Sequence, residues 1–159
     1  MPVRQAHYKI TTKSPEETAF LAEKILEKIR KERANQPARA TILLLSGDLG
    51  SGKTTFTQGL ARSLGVTKTV TSPTFIIEKI YKLENDPNFD HLIHIDAYRL
   101  EGKSEAELLN LKNIFADPRS LIAIEWPENL GLDMPKEGIL LNFKFLNEKE
   151  REIKGPYAE

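Results

Sequence analysis

The chain contains no cysteine, which excludes disulfides, thiolate-bound metals and cysteine nucleophiles together and fits a reducing compartment. Any metal it binds is held by oxygen. An excess of one charge is missing too: 23 Lys and Arg stand against 23 Asp and Glu, so the formal net charge is zero and no global field draws nucleic acid. Contact with RNA then requires a local patch or a partner. No apolar run approaches the roughly 18 residues that cross a bilayer. The opening MPVRQAHYKI also lacks the apolar centre of a signal peptide, so a soluble, cytoplasmic protein with no membrane contact is expected. Repeats and low-complexity tracts are absent. The 159 residues suffice for one domain with a real core, and residues 1–159 are expected to form a single α/β unit.

What is present concentrates in residues 47–55, GDLGSGKTT, where a glycine, four residues and Gly-Lys-Thr follow the apolar run from Ala40 to Leu45. A helical pattern leaves the segment, with Phe56, Leu60 and Leu64 four apart and Gly65 placed to end it. A chance glycine-rich turn would lack this strand and helix, so the segment reads as a Walker A loop. Its expected nucleotide-binding residues are Gly47, Asp48, Leu49, Gly50, Ser51, Gly52, Lys53, Thr54 and Thr55. The glycines let successive N–H groups point inward at phosphate oxygens, Lys53 brings positive charge to the β and γ phosphates, and Thr54 offers its hydroxyl to Mg²⁺.

Around the loop, a strand is expected from His7 to Thr12. Ser14-Pro15-Glu16-Glu17 then combines an N-cap, a proline at the first helical position and a capping-box glutamate. Leu21, Ala22, Ile25, Leu26 and Ile29 form the buried stripe of the resulting helix, whose charged remainder runs to Arg33. Strands from Phe75 to Tyr81 and from His91 to Asp96, separated by the turn residues of Asn85–Asn88, suggest a hairpin. Ser104-Glu-Ala-Glu107 predicts a short helix through Leu111, and Leu121–Ile124 a buried parallel strand. Ile139–Leu146 is a late strand, and Arg151–Lys154 a short edge strand with a mobile tail. The predicted architecture is an α/β, three-layer P-loop NTPase fold with a mixed, mostly parallel sheet.

Two acids end strands, Asp96 after His91–Ile95 and Glu125 after Leu121–Ile124. Ligands of open α/β sheets gather at the carboxyl ends of strands, so both can face the nucleotide. Thr54 and one acid are expected to hold magnesium directly or through water, while the other positions or deprotonates the attacking water; either order is open. Each acid alone could merely cap the loop after its strand. Thr74, in Thr71-Ser-Pro-Thr-Phe75, is a candidate γ-phosphate sensor or part of a plain proline turn. Trp126 is a loop anchor or a partner contact, His94 shares the strand face of Asp96, and Arg99 could reach phosphate. Adenine contacts are expected in the segment from Thr11 to Thr18.

Taken together, GDLGSGKTT, SPTF at 72–75, DAYRL at 96–100 and EWPE at 125–128 resemble the TsaE family, bacterial ATPases of tRNA threonylcarbamoyladenosine biosynthesis. The resemblance runs over nearly the whole chain. It implies binding and slow magnesium-dependent hydrolysis of ATP, in the service of TsaB and TsaD subunits, with tRNA reached indirectly through that complex. It also implies roles by residue: Lys53 and Thr54 as the Walker pair, Asp96 as the Walker-B-like acid, Glu125 as the second essential acid, Trp126 as the neighbouring functional tryptophan, Thr74 as the switch threonine. One stretch departs from the family pattern, with Asn110-Leu-Lys-Asn-Ile-Phe115 where relatives tend to carry glycine and acidic residues.

Other readings are a small-metabolite kinase, with Arg99 to Arg119 as a lid over the phosphoacceptor, and a binding module propped by nucleotide. A GTPase is disfavoured because no Asn-Lys-x-Asp element reads guanine.

Overall fold

Ser14 starts the first long helix as its place before Pro15 predicts. Its hydroxyl accepts the Glu17 N–H at 3.1 Å, while the Glu17 carboxylate takes the Lys13 N–H at 2.6 Å, one residue ahead of the usual capping-box donor. The computed structural model describes residues 8–33, 38–68, 70, 78–100, 110–133, 135 and 137–157. Its elements are β1 (Tyr8–Thr12), α1 (Pro15–Glu32), β2 (Thr41–Gly47), α2 (Lys53–Ser63), β3 (Glu78–Lys82), β4 (His91–Asp96), α3 (Leu111–Ala116), β5 (Ser120–Glu125), a 3₁₀ segment (Pro127–Asp133), β6 (Ile139–Phe145) and β7 (Arg151–Gly155).

The strands form one seven-stranded sheet in the order β1-β7-β6-β2-β5-β4-β3. The neighbours β6, β2, β5 and β4 run parallel, whereas β3 opposes β4 and β7 opposes both β6 and β1. Only β3 and β7 therefore run against the other described strands, and the sheet is mixed and mostly parallel in direction. Alternate residues of the central strands serve opposite faces. Leu43, Leu45, Leu121 and Ala123 pack with α1 and α2, while Ile42, Leu44, Ile122 and Ile124 pack with Leu111 and Leu130 on the other side. Burial on both faces explains why β2 and β5 read as unbroken apolar runs. The predicted stripe of α1, Leu21, Ala22, Ile25, Leu26 and Ile29, is buried. Helix α2 lies so close to it that a Cβ on Gly59 would stand 2.5 Å from the Ala19 Cα. Among the described residues no helix is long and apolar enough to cross a membrane.

Three expectations change. Arg151–Lys154 is not an edge: β7 lies between β6 and β1, because the amino-terminal strand adds outside it. The chain after it is tied down through Tyr157, 8% exposed, whose hydroxyl bonds Glu32 and whose carbonyl accepts from Lys28 Nζ at 3.3 Å. Leu111 begins a helix instead of ending one, since Asn110 adopts a left-handed φ of 55° that no helix continues through. The Ser104–Glu107 capping box lies outside the described residues, as do His7 and Thr71–Phe75. The strand of the predicted hairpin thus appears as Glu78–Lys82, paired antiparallel with β4 from Glu78↔Ile95 to Lys82↔His91.

Candidate functional site

Because β2, β4 and β5 run parallel, their carboxyl ends meet at one edge of the sheet and deliver Gly47, Asp96 and Glu125 there. Gly47 has φ +150°, and a Cβ on it would stand 2.3 Å from the Phe143 carbonyl oxygen, so no other residue fits between β2 and β6. After the turn, Gly52 caps α2 with no side-chain bond to the helix, and the first turn of α2 carries no acidic residue. The amides at this helix start suit an anion. The Ser51 hydroxyl, buried in the loop, has no partner among the described residues.

Lys53 is 5% exposed, and its ammonium donates to the carbonyls of Gly47 and, at 3.1 Å, Asp48. It also sits 4.1 Å from the centre of the Trp126 ring. Burial holds the Lys53 pKa below the ordinary lysine value, opposed by the carboxylates of Glu125, Glu128, Asp96 and Asp48. Asp96 and Glu125 face each other in register on adjacent strands and are 7% and 3% exposed. Glu125 Oε1 accepts the Thr54 hydroxyl at 3.2 Å, and its Oε2 meets His94 Nε2 at 2.5 Å. Asp96 Oδ1 accepts the Tyr98 N–H at 2.9 Å, which turns the chain away from the strand end. Among the described residues no three His, Asp or Glu side chains form a ready-made metal cluster. A hydroxyl and two carboxylates are nonetheless hard oxygen donors suited to magnesium, which takes its other ligands from phosphate and water.

Trp126 has a left-handed φ of 58°, an uncommon conformation for a bulky residue, and its N–H reaches the Leu45 carbonyl at 3.2 Å. This bend turns the indole onto Lys53 and against Tyr98, ring centres 4.9 Å apart. Asn129 ties the two loops together, its amide donating to the Ala97 and Tyr98 carbonyls at 3.0 and 3.2 Å. Between these groups and the start of α1 opens a cleft of about 540 Å³. The loop from Leu49 to Thr55, Asp96, Arg99, Glu125 and Trp126 line the cleft, together with Ser14, Pro15 and Thr18 from the segment expected to contact adenine. Thr74 lies outside the described residues.

Sequence reasoning missed the wall made by Glu148, Lys149 and Arg151. Arg151 Nε donates to the Gly50 carbonyl at 2.8 Å, and the guanidinium lies 4.5 Å over the Phe145 ring. Nothing local in an Asn-Glu-Lys-Glu-Arg turn signals this, because the contact depends on β7 lying beside β6. Strand alternation puts His94 on the face of Asp96, and its bond to Glu125 crosses from β4 to β5. Of the segment from Arg99 to Arg119, Arg99 lines the cleft and residues 101–109 lie outside the described residues. Arg119 pairs with Asp90 at 3.0 Å and the Pro87 carbonyl at 3.1 Å where β5 begins. A strand the length of β5 spans roughly 20 Å and separates it from the cleft.

The family model described as Threonylcarbamoyl adenosine biosynthesis protein TsaE matches residues 12–153. The chain belongs to the TsaE family. It is 39% identical over 142 residues to the Bacillus subtilis protein named tRNA threonylcarbamoyladenosine biosynthesis protein TsaE, covering 89% of this chain and 80% of that one. A Borreliella burgdorferi protein of the same name is 42% identical over 106 residues, covering 66% and 74%. Among solved structures, the crystal structure of Bacillus subtilis YdiB aligns with a TM-score of 0.68 at 30% identity, over 96% of this chain and 86% of that one. The TsaE match takes in the glycine-rich loop, both strand-end acids and Trp126, and it extends to the β7 wall that carries Arg151.

Proposed function

We propose that this TsaE family member binds ATP and magnesium at the cleft and hydrolyses ATP slowly, as an accessory ATPase of tRNA threonylcarbamoyladenosine modification acting with TsaB and TsaD subunits. The observation that carries the reading is the joining of Thr54 to Glu125 at 3.2 Å, with Lys53 and Asp96 lining the same cleft. That set combines an anion cradle with hard oxygen donors at one point. When bound, ATP supplies the phosphoryl group that water attacks, and magnesium neutralises charge on its phosphate oxygens.

The chain's own residues divide the remaining work. The amides of the loop and of the α2 start bind phosphate, and Lys53 exchanges its carbonyl partners for phosphate oxygens. Thr54 and one of Asp96 and Glu125 hold the ion, while the other carboxylate orients the attacking water and takes its proton. Trp126 and Tyr98 form an apolar rim that limits water at the reacting group. The test is magnesium-dependent ATP hydrolysis by the purified protein, alone and with its cognate TsaB and TsaD subunits. Stimulation by the pair is expected; unchanged turnover with no complex formed would overturn the proposal.

A further inference from the structure

The His94 imidazole is fully buried, and its one described hydrogen bond is to Glu125: Nε2 lies 2.5 Å from Oε2, while Nδ1 has no partner among the described residues. An ionised carboxylate only accepts, so Nε2 carries the proton. A buried ring nitrogen without a partner is unfavourable, and an apolar side chain of similar volume would avoid it. The bond to Glu125 is what distinguishes histidine from such a side chain here. Its reach is set by the sheet, because His94 is paired in register with Ala123, whose methyl group leaves room for the ring to extend toward Glu125.

The two oxygens of Glu125 are therefore held by different elements, Oε1 by Thr54 of α2 and Oε2 by His94 of β4. If Thr54 gives its hydroxyl to magnesium, as the proposed function requires, Oε1 loses its partner and the imidazole remains. We propose that His94 is a positioning residue for the reaction: acting through Glu125, it pins Oε2 so that Oε1 stays directed into the cleft when Thr54 turns to the ion. This inference rests on the proposed ATPase reading for its consequence, and on the geometry of Glu125 for its content.

Glutamine and asparagine at position 94 separate reach from polarity, since both bury an amide but only the glutamine nitrogen extends to where Nε2 stands. His94→Asn is expected to lower kcat roughly tenfold to a hundredfold, as loss of such supporting partners does elsewhere. Its KM and its affinity for a non-hydrolysable ATP analogue should stay close to wild type, and His94→Gln should restore kcat to within a few-fold. Equal activity of Asn, Gln and wild type, or equal loss in both variants, would overturn the inference. Crystal structures of the two variants decide the matter even if wild-type protein hydrolyses no ATP. Glu125 displaced in Asn but not in Gln supports positioning, and the proposed function alone has then failed; Glu125 unmoved in both refutes positioning. Should His94→Asn not fold, the wild-type structure with magnesium and the analogue serves instead: the Nε2 to Oε2 contact must persist there while Thr54 leaves Oε1, and a broken contact refutes the inference.

Discussion

The ammonium of Lys53 lies 4.1 Å from the centre of the Trp126 ring while bonded to the Gly47 and Asp48 carbonyls. Phosphate oxygens carry full charge and are stronger partners for the ammonium than carbonyls or a π face. Binding of magnesium and ATP should thus draw Lys53 away and change the emission of Trp126, the only tryptophan. Fluorescence titration checks this. Unchanged emission in a sample whose bound nucleotide is measured by calorimetry would exclude the exchange.

Lys53 and Glu125 should fail in different ways. Lys53→Ala removes a charged hydrogen bond to phosphate, worth roughly 1.5–3 kcal/mol, and is expected to weaken nucleotide binding by one to two orders of magnitude. Glu125→Ala should leave binding nearly intact and slow turnover about 10²–10⁴-fold, the usual contribution of a general base. Wild-type turnover in Glu125→Ala would end its assignment to the chemistry. The same variant leaves the His94 Nε2–H buried without its acceptor, so thermal denaturation should also record a loss of about 1–3 kcal/mol.

The lowered pKa of Lys53 makes two opposite pH trends. Between the folded and unfolded pKa values the unfolded chain binds more protons, so the cost of burying the ammonium is relieved and stability of the nucleotide-free protein gains as pH rises. Phosphate binding needs the ammonium, so nucleotide affinity should fall as pH climbs through the folded value, below the ordinary value of about 10.4. Urea midpoints and nucleotide Kd measured across the alkaline range test both. Lys53→Met should flatten the two profiles, and a wild-type affinity that holds constant up to the ordinary lysine value would contradict the argument.

Gly59 governs the contact of α2 with α1. A methyl group there meets Ala19 backbone, with Cα at 2.5 Å and the carbonyl oxygen at 2.6 Å, and neither can rotate away. Gly59→Ala is expected to cost about 1–3 kcal/mol from overpacking, beyond any gain in helix propensity. Chemical denaturation gives the number directly. A stabilised variant would mean that the two helices separate without strain.

Much of this protein is legible in one dimension because the relevant physics is local. The cap at Ser14, the stripe of α1 and the Gly-Lys-Thr turn after an apolar strand depend on neighbours within a few residues, and each appears where its pattern predicts. Asp96 and Glu125 could be named because parallel strands send their carboxyl ends to one edge. Pairing across the sheet decided the rest. The sequence of β7 does not state that it lies between β6 and β1, and without its place beside β6 Arg151 has no reason to reach Gly50. His94 and Glu125 stand 31 residues apart, and Thr54 and Glu125 71. Those contacts exist because β4, β5 and α2 come together at one end of the sheet, and no local spacing encodes them. Arg99 and Arg119 show the converse: 20 residues apart in sequence, they follow the carboxyl end of β4 and precede the amino end of β5, at opposite ends of the sheet.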